Sequence, residues 1–387
     1  MPQPEVLCRF ENRLSGTALA LSGLRTRIEA RSSDELSLAF ARIDQARQEG
    51  HWVALLLDYE LGDWLEPAAA GSPRVHPPAN HPPLTALVFA QAHHEAVWPA
   101  LGAPPALTAS ARIGRQHYMA HVQALRNAIT RGEIYQANYT FPIDVISDMA
   151  PRDLYRSISG RHPTAFGAYI QDGERHVLSF SPELFFKRRA GTITVRPMKG
   201  TAPRRPDPEE DQREGRALLQ SIKNRAENVM IVDLLRNDLG RLAVPGSVEV
   251  QSLCELECYP SVWTLTSTVT AHAPAASLET LLRALFPCGS ITGAPKIAAM
   301  RKIRLHEASP RGIYCGSLGW LAPNGDCTFN VAIRTIEMHK PGHGVMGVGG
   351  GIVHDSDPAL EWEECLWKAR ILNTAAATTE EKSITMV

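Results

Sequence analysis

The irregular order of helix-like and strand-like segments is the sequence feature that most limits the fold. Strand-like runs occur at residues 168–171, 177–180 and 192–195, and the apolar spacing of residues 114–131 predicts a helix. Acidic residues directly after Pro208 predict another helix start, because carboxylates are favoured at the positive end of a helix dipole. These segments lack the regular strand–helix–strand rhythm of a doubly wound sheet. The pattern therefore predicts an α+β fold.

Size and composition limit the class of protein. The chain has 387 residues, a hydrophobic content of 44% and 40 basic against 41 acidic side chains. This length is compatible with two or three domains or with one large domain, and the composition is that of a folded globular protein. Because tracking a phosphate backbone needs an excess of positive charge, the formal net charge of −1 argues against nucleic-acid binding as the main task.

The sequence also bears on the compartment. No apolar run approaches the roughly 18 residues of a membrane helix, and the first residues lack a basic-then-apolar leader. The seven cysteines are an odd number and widely spread, which is typical of reduced thiols. Cys254 and Cys258 resemble half of a zinc site, but no second pair has ligand spacing. We therefore expect a cytoplasmic protein that is not associated with a membrane.

A glycine-rich run occupies residues 347–351 (GVGGG). It is not a dinucleotide-binding fingerprint, because Ile352 stands at the sixth position, where that pattern requires glycine. No Gly-Lys-Ser/Thr follows at the spacing of a phosphate-binding loop. Two interpretations remain open: backbone that approaches a ligand so closely that any side chain would collide, or a tight turn before a helix.

Charged side chains share one face of a helix that we predict from Pro358 to about Thr378. Glu361, Glu364 and Lys368 lie at positions i, i+3 and i+7 of this helix. Two carboxylates one turn apart can hold a hard cation such as Mg²⁺, which prefers oxygen ligands. The alternative is a solvated face with only a Glu364–Lys368 ion pair.

A further carboxylate, Glu227, lies in a second predicted helix at residues 224–241. It shares a face with Ile231 and Leu234, and a carboxylate among buried apolar side chains is costly unless it is paired or bound to metal. Glu227 and Glu364 could therefore share one Mg²⁺. The alternative is a carboxylate near the helix start that interacts only with the helix dipole.

Two single residues are candidates for chemistry. Lys199, in PMKGT, follows a strand-like run, and a lysine partly shielded from water can act as a nucleophile or base. Glu183, in SPE, is a candidate acid. The alternatives are an exposed loop lysine and an ordinary turn residue.

Seven segments, taken together and in order, resemble motifs of the chorismate-binding enzymes. They are SPE (181–183), PMKGTAPR (197–204), ENVMIVDLLRNDLGR (227–241), GSITGAPK (289–296), RGIYCGSLGW (311–320), FNVAIRTI (329–336) and GVGGGIVHDSDP (347–358). The resemblance covers roughly residues 110–375. It implies one α+β unit of large stacked sheets with outer helices, like anthranilate synthase component I. Residues 1–105 would complete this fold, and residues 106–387 would form the chorismate-binding catalytic domain.

Three positions distinguish branches of this family. Lys199 resembles the lysine of aminodeoxychorismate synthases, where anthranilate synthases usually carry alanine. Gln136 stands where isochorismate and salicylate synthases place a lysine base that acts on water. Thr264 replaces a histidine of anthranilate synthases. The resemblance therefore implies amination of chorismate at C4 through a covalent intermediate. Anthranilate synthase component I and a non-catalytic chorismate-binding subunit remain the alternatives.

The resemblance also implies a role for each site residue. Glu227 and Glu364 would hold Mg²⁺, with Glu361 behind them or bound through water. Lys199 would attack C2 of chorismate while Glu183 protonates the departing C4 hydroxyl. The remaining predicted residues would contact the substrate or its leaving-group side; they are Thr292, Tyr314, Arg334, Gly349, Gly350, Gly351 and Lys368.

The source of ammonia is a separate question. We find neither a glutaminase signature nor a lyase segment in the sequence. Ammonia is therefore expected from a glutaminase subunit of the type I glutamine amidotransferase class, or from solution. The expected partners are chorismate, ammonia and that subunit.

Overall fold

The computed structural model describes residues 6–70, 81–259 and 262–372. Eighteen strands occur in these ranges. They are β1 (Val6–Asn12), β2 (Thr17–Ala30), β3 (Trp52–Leu57), β4 (Leu84–Ala96), β5 (Thr108–Ala111), β6 (Gln136–Ile146), β7 (Phe166–Asp172), β8 (Arg175–Ser181), β9 (Leu184–Arg189), β10 (Thr192–Arg196), β11 (Met198–Pro203), β12 (Glu249–Cys258), β13 (Val262–His272), β14 (Gly293–Ala294), β15 (Ser317–Leu321), β16 (Cys327–Asn330), β17 (Thr335–Lys340) and β18 (His343–Ile352).

Nine α-helices accompany these strands in the described ranges. They are α1 (Leu36–Gln48), α2 (Gly62–Leu65), α3 (Arg115–Thr130), α4 (Pro151–Arg161), α5 (Pro208–Gln220), α6 (Ile222–Gly240), α7 (Leu278–Leu285), α8 (Lys296–His306) and α9 (Pro358–Ala369). Short 3₁₀ turns lie between them, including one at Gly289–Ile291. None of these helices combines the length and the apolar character needed to cross a membrane.

The strands form one hydrogen-bonded sheet in which every described pairing is antiparallel. From one edge the order is β5, β6, β18, β17, β8, β7, β1, β2, β4, β3, β15, β16, β9, β10, β13 and β12. The short β14 also pairs with β6, and β11 pairs with β13. An antiparallel sheet with helices confirms the predicted α+β class.

The sheet curls so that its own strands supply both sides of one core. That core contains Leu56 of β3, Leu87 of β4 and Ile170 of β7, and its described members come from strands and loops. Two larger cores lie between the sheet and the helices, and they include Phe40 of α1 and Trp362 of α9. The helices therefore lie outside stacked sheet layers, as the resemblance implied.

Several predicted boundaries need correction. The sequence also predicts strands near residues 312–322 and over residues 327–338, but residues 312–316 form turns before β15, and residues 327–338 hold two strands, β16 and β17. The backbone leaves the extended conformation between them, and Arg334 has a φ of +51°. The tight-turn alternative for residues 347–351 is wrong, since they lie inside β18. The predicted end of the last helix, residues 373–378, lies outside the described residues.

Candidate active site

A cavity of about 230 Å³ opens beside β18. Its walls come from β18, from α6 and α9, from β11, and from the loop around the 3₁₀ turn Gly289–Ile291. Ten of the predicted site residues line it: Glu183, Lys199, Glu227, Tyr314, Arg334, Gly349, Gly351, Glu361, Glu364 and Lys368. These residues are widely separated in sequence, so the fold alone brings them together.

The glycine segment, Gly347–Gly351 of β18, contributes four of its five residues to one wall of the cavity; Gly350 faces α9 instead, and Val348 carries the one side chain. The segment pairs with β6, and a Cβ atom on Gly349 would lie 2.3 Å from the carbonyl oxygen of Tyr139 in that strand. A Cβ atom on Gly350 would lie 3.0 Å from Glu361 Oε2 and 3.8 Å from Glu364 Oε1. Gly349 therefore has no room for a side chain, because the β6 backbone is too close, and a side chain at Gly350 would push against the carboxylates of α9.

Three carboxylates face the cavity from two helices. Glu361 and Glu364 come from α9, and Glu227 comes from α6. Burial raises the pKa of Glu227 and of Glu361, and the neighbouring Glu364 carboxylate raises both further. Glu361 Oε1 also accepts a hydrogen bond of 2.6 Å from Ser356 Oγ. A cation bound between these carboxylates would relieve the repulsion between their negative charges.

The carboxylates fit a hydrated Mg²⁺ better than a dehydrated ion. The oxygens of the three do not all lie within 4.8 Å of one another. Mg²⁺ usually keeps several of its waters and binds one or two carboxylates directly, so a wider arrangement is compatible with it. Lys368 competes for one ligand, because its Nζ lies 2.7 Å from Glu364 Oε1 and donates a hydrogen bond of 2.8 Å to the Gly349 carbonyl. The Glu364–Lys368 ion pair considered from the sequence is therefore present.

Ser290 joins the two candidate catalytic residues. Its hydroxyl donates a hydrogen bond of 2.7 Å to Glu183 Oε1, and its carbonyl oxygen accepts one of 2.9 Å from Lys199 Nζ. Burial raises the pKa of Glu183 to about 7, although Ser290 and the Lys199 charge both work against the rise. A carboxyl group with this pKa can hold and release a proton near neutral pH.

Arg334 is a partly buried cation that faces the cavity. Burial lowers the pKa of its guanidinium group, and no carboxylate among the described residues offsets that effect. Its positive φ is uncommon for a residue other than glycine, and backbone strain of this kind is concentrated at functional sites. Such a cation is suited to an anionic ligand, because a carboxylate can accept two parallel hydrogen bonds from it.

Thr292 does not line the cavity. Its side chain is fully buried, and its hydroxyl donates to the carbonyl oxygens of Cys288 (3.1 Å) and Gly289 (3.2 Å). Thr292 therefore shapes the loop that carries Ser290, and its contact with the leaving-group side stays a prediction. Ser290 was missed, although it lies in the same GSITGAPK motif.

Gln136 lies beside this site at the start of β6. A Cβ atom on Gly351 would be 2.3 Å from Gln136 Nε2 and 3.5 Å from Lys199 Nζ. The side chain is 1% exposed, and its Oε1 has no hydrogen-bond partner. A buried amide therefore lies next to Lys199 and Gly351 at the position where the family resemblance places the lysine base of isochorismate synthases.

Comparisons with known proteins agree with this geometry. The family model described as chorismate binding enzyme matches residues 10–374. The chain is 42% identical over 265 residues to aminodeoxychorismate synthase component 1 of Klebsiella aerogenes, covering 68% of this chain and 58% of that protein. It is 39% identical over 273 residues to anthranilate synthase component 1 of Streptomyces coelicolor, covering 70% and 53%. The matched segment thus spans about half the length of these relatives.

A solved structure shows the same fold. Anthranilate synthase component I of Streptococcus pneumoniae superimposes with a TM-score of 0.79 at 22% identity, covering 96% of this chain and 92% of that chain. At this identity the likeness concerns the fold alone.

Proposed function

The chain belongs to the family of chorismate-binding enzymes, and from this premise we propose that it is the aminating component of an aminodeoxychorismate synthase. It converts chorismate and ammonia to 4-amino-4-deoxychorismate, the precursor of 4-aminobenzoate and folate. The observation that carries the proposal is the pairing of Lys199 with Glu183 through Ser290 at the cavity wall. This pairing supplies a nucleophile and an acid side by side.

The first step uses both residues. Lys199, as the free amine, adds to C2 of chorismate, and the ring double bonds shift. The C4–O bond breaks as Glu183 gives its proton to the departing hydroxyl, which leaves as water. The covalent intermediate is then attached to the enzyme through Lys199 Nζ.

Ammonia completes the reaction in the second step. It adds at C4, the double bonds shift back, and the bond between C2 and Lys199 breaks. The proton released from the attacking nitrogen restores the Glu183 carboxyl group. Chorismate and ammonia thus give aminodeoxychorismate and water, and the enzyme returns to its starting state.

The substrate is held by charge. Chorismate carries two carboxylates, and Arg334 offers one of them a two-pronged donor that lysine does not match. Glu227, Glu361 and Glu364 would hold Mg²⁺, which would neutralise the other carboxylate. The Glu364–Lys368 ion pair keeps a positive group at the same wall.

The name component 1 of the Klebsiella aerogenes relative suggests a partner component. We propose a glutaminase subunit that supplies ammonia from glutamine, and a cytoplasmic location for the complex.

Anthranilate synthesis is the second candidate, because a relative of that activity is 39% identical. The test incubates the chain with chorismate, Mg²⁺ and an ammonium salt. A product that aminodeoxychorismate lyase converts to 4-aminobenzoate supports the proposal, and fluorescent anthranilate overturns it.

Substitution of Lys199 tests the catalytic role itself. Lys199→Ala should abolish amination and retain Mg²⁺-dependent chorismate binding, whereas Lys340→Ala, at the exposed end of β17, should behave like the wild type. Unchanged amination in Lys199→Ala would exclude Lys199 as the nucleophile, whereas a wild-type chain that binds chorismate and forms no product would favour a scaffold subunit.

A further inference from the structure

A cluster of metal-ligating side chains lies outside the active-site cavity. It joins His81, just before β4, to Glu337 and His339 of β17. One nitrogen or oxygen from each residue lies within 4.8 Å of the other two. In the ranges the structure describes, this is the one group of three or more histidine, cysteine, aspartate or glutamate side chains that comes so close together.

The distances match ligands around a metal better than hydrogen bonds. Glu337 Oε1 lies 3.7 Å from His81 Nε2 and 3.3 Å from His339 Nε2. Both separations exceed the usual length of about 2.7–3.2 Å for a hydrogen bond from nitrogen to oxygen. Two ligands at about 2.1 Å from a tetrahedral zinc ion lie roughly 3.4 Å apart. The two distances to Glu337 Oε1 therefore fit ligands around one ion, and the two imidazole nitrogens lie within 4.8 Å of each other.

The second nitrogen of His81 has the contact that a metal-bound imidazole requires. His81 Nδ1 lies 2.8 Å from Asp58 Oδ2, and the Asp58 side chain is 1% exposed. A metal-binding histidine usually directs its other ring nitrogen at a carboxylate, which fixes the ring and its tautomer. Asp58 is therefore placed to orient the His81 ring once an ion is bound, although the present contact is not aligned as a hydrogen bond. The ring centroids of His81 and His339 lie 4.9 Å apart, and Nε2 of each ring approaches Glu337 Oε1.

The local charge also favours a cation. Arg175 contacts Asp58 at 3.1 Å and Glu337 at 2.7 Å and holds both carboxylates in place. With neutral imidazoles, two carboxylates against one guanidinium leave a net negative charge.

We propose that His81, Glu337 and His339 bind one divalent ion of the zinc class, with water as the fourth ligand. Two imidazoles and one carboxylate form a donor set typical of zinc. The ion ties the segment before β4 to β17, which lie more than 250 residues apart in sequence. The site is independent of the carboxylates of the active-site cavity.

The test is a titration of the untagged, metal-stripped full chain with Co²⁺ in excess Mg²⁺. The wild type should bind one Co²⁺ with the visible absorption of a four-coordinate ion and without a thiolate charge-transfer band, and Zn²⁺ should displace it. His339→Gln should weaken the affinity at least about tenfold, because it removes a ligand. The matched control His354→Gln, at an exposed histidine beside Asp355, should leave the affinity unchanged.

Two further variants keep the test decisive. Asp58→Asn should weaken Co²⁺ binding by roughly 10- to 100-fold through the orientation of His81. Cys258→Ser removes the exposed thiol and should change nothing. Absence of stoichiometric binding, or equal affinity in wild type and His339→Gln, overturns the proposal and leaves the cluster an ion-pair network. Amination activity plays no part in this readout.

Discussion

At the scale of single residues, the state of the Glu183 carboxyl group decides the pH dependence. Burial raises its pKa to about 7. Below that pH the group is protonated and can act as an acid, and above it the proton is lost. With free ammonia held constant, the ratio of kcat/KM for amination in the wild type to that in Glu183→Gln should therefore fall about tenfold per pH unit above pH 7, because only the wild type loses this proton. A ratio that stays constant between pH 7 and 9 would exclude Glu183 as the acid.

Ser290 should influence the pH at which Glu183 loses its proton, and with it the pH above which activity falls (the alkaline limb of the pH–rate profile). Its hydroxyl donates to the ionised carboxylate, so Ser290→Ala should raise the pKa of Glu183 and move the alkaline limb upward by about one pH unit. Thr292→Val removes a hydroxyl from the same loop without touching Glu183, so it should leave the limb in place. The two pH–rate profiles measure the difference. Equal shifts in both variants would point to a general effect on the loop.

Arg334 should contribute to binding more than to stability. Arg334→Lys should raise KM for chorismate by roughly 10- to 100-fold, because the two-pronged donor is lost. Arg334→Met should not lower the melting temperature, since burying an unneutralised cation is costly. Steady-state kinetics and thermal unfolding measure both effects, with the exposed Arg131→Lys as control. An unchanged KM with a lower melting temperature would assign Arg334 a structural role.

The sequence alone predicted many of the residues that line the cavity, but it did not predict which of them contact one another. Lys199, Glu183 and Arg334 could be found because lysine, glutamate and arginine have obvious chemistry and each lies in a recognisable motif. Ser290 is separated from Glu183 by 107 positions and from Lys199 by 91, and serine has no distinctive chemistry by itself. Only the folded chain shows that one residue contacts both.

At the scale of elements, the packing of α9 against β18 can be tested through Gly350. A methyl group there would lie 3.0 Å from Glu361 Oε2, so Gly350→Ala should displace that carboxylate. The Mg²⁺ concentration for half-maximal activity should then rise about tenfold or more. The control Gly114→Ala adds its methyl group in open space and should show the wild-type requirement. An unchanged requirement in Gly350→Ala would remove Glu361 from the metal site.

Helices were predicted better than strands. The starts of α5 and α9 follow from a proline and acidic residues, and those boundaries agree with the structure. β2 was missed because residues 23–27 are exposed, so the alternation of apolar and polar positions breaks down there. β6 was missed because buried polar residues such as Asn138 and Thr140 interrupt its apolar pattern.

At the scale of the whole molecule, the two predicted regions share one sheet. β1 pairs with β7, and β3 pairs with β15, so strands from before residue 105 lie between strands from after it. A fragment of residues 106–387 should therefore fail to fold cooperatively, because four neighbouring strands would be missing. Circular dichroism melting and hydrogen exchange measure this against the full chain. A sharp transition in the fragment would make it an autonomous domain.

This strand order could not be derived from sequence patterns. Hydrophobic periodicity indicates which face of a strand is buried, but it does not identify the neighbouring strand. The partners β3 and β15 lie some 260 residues apart, and their register depends on the complete curled sheet.

The near absence of side chains in Gly347–Gly351 limits how mutation can alter the substrate preference of this enzyme. Point mutation alters proteins through side chains, and only Val348 carries one in this segment, so selection has little to vary there. New preferences for nucleophile or ring substituent must therefore arise at side chains next to the segment, such as Gln136 and Lys199. An engineer who wishes to redirect the reaction should build libraries there and leave the strand untouched.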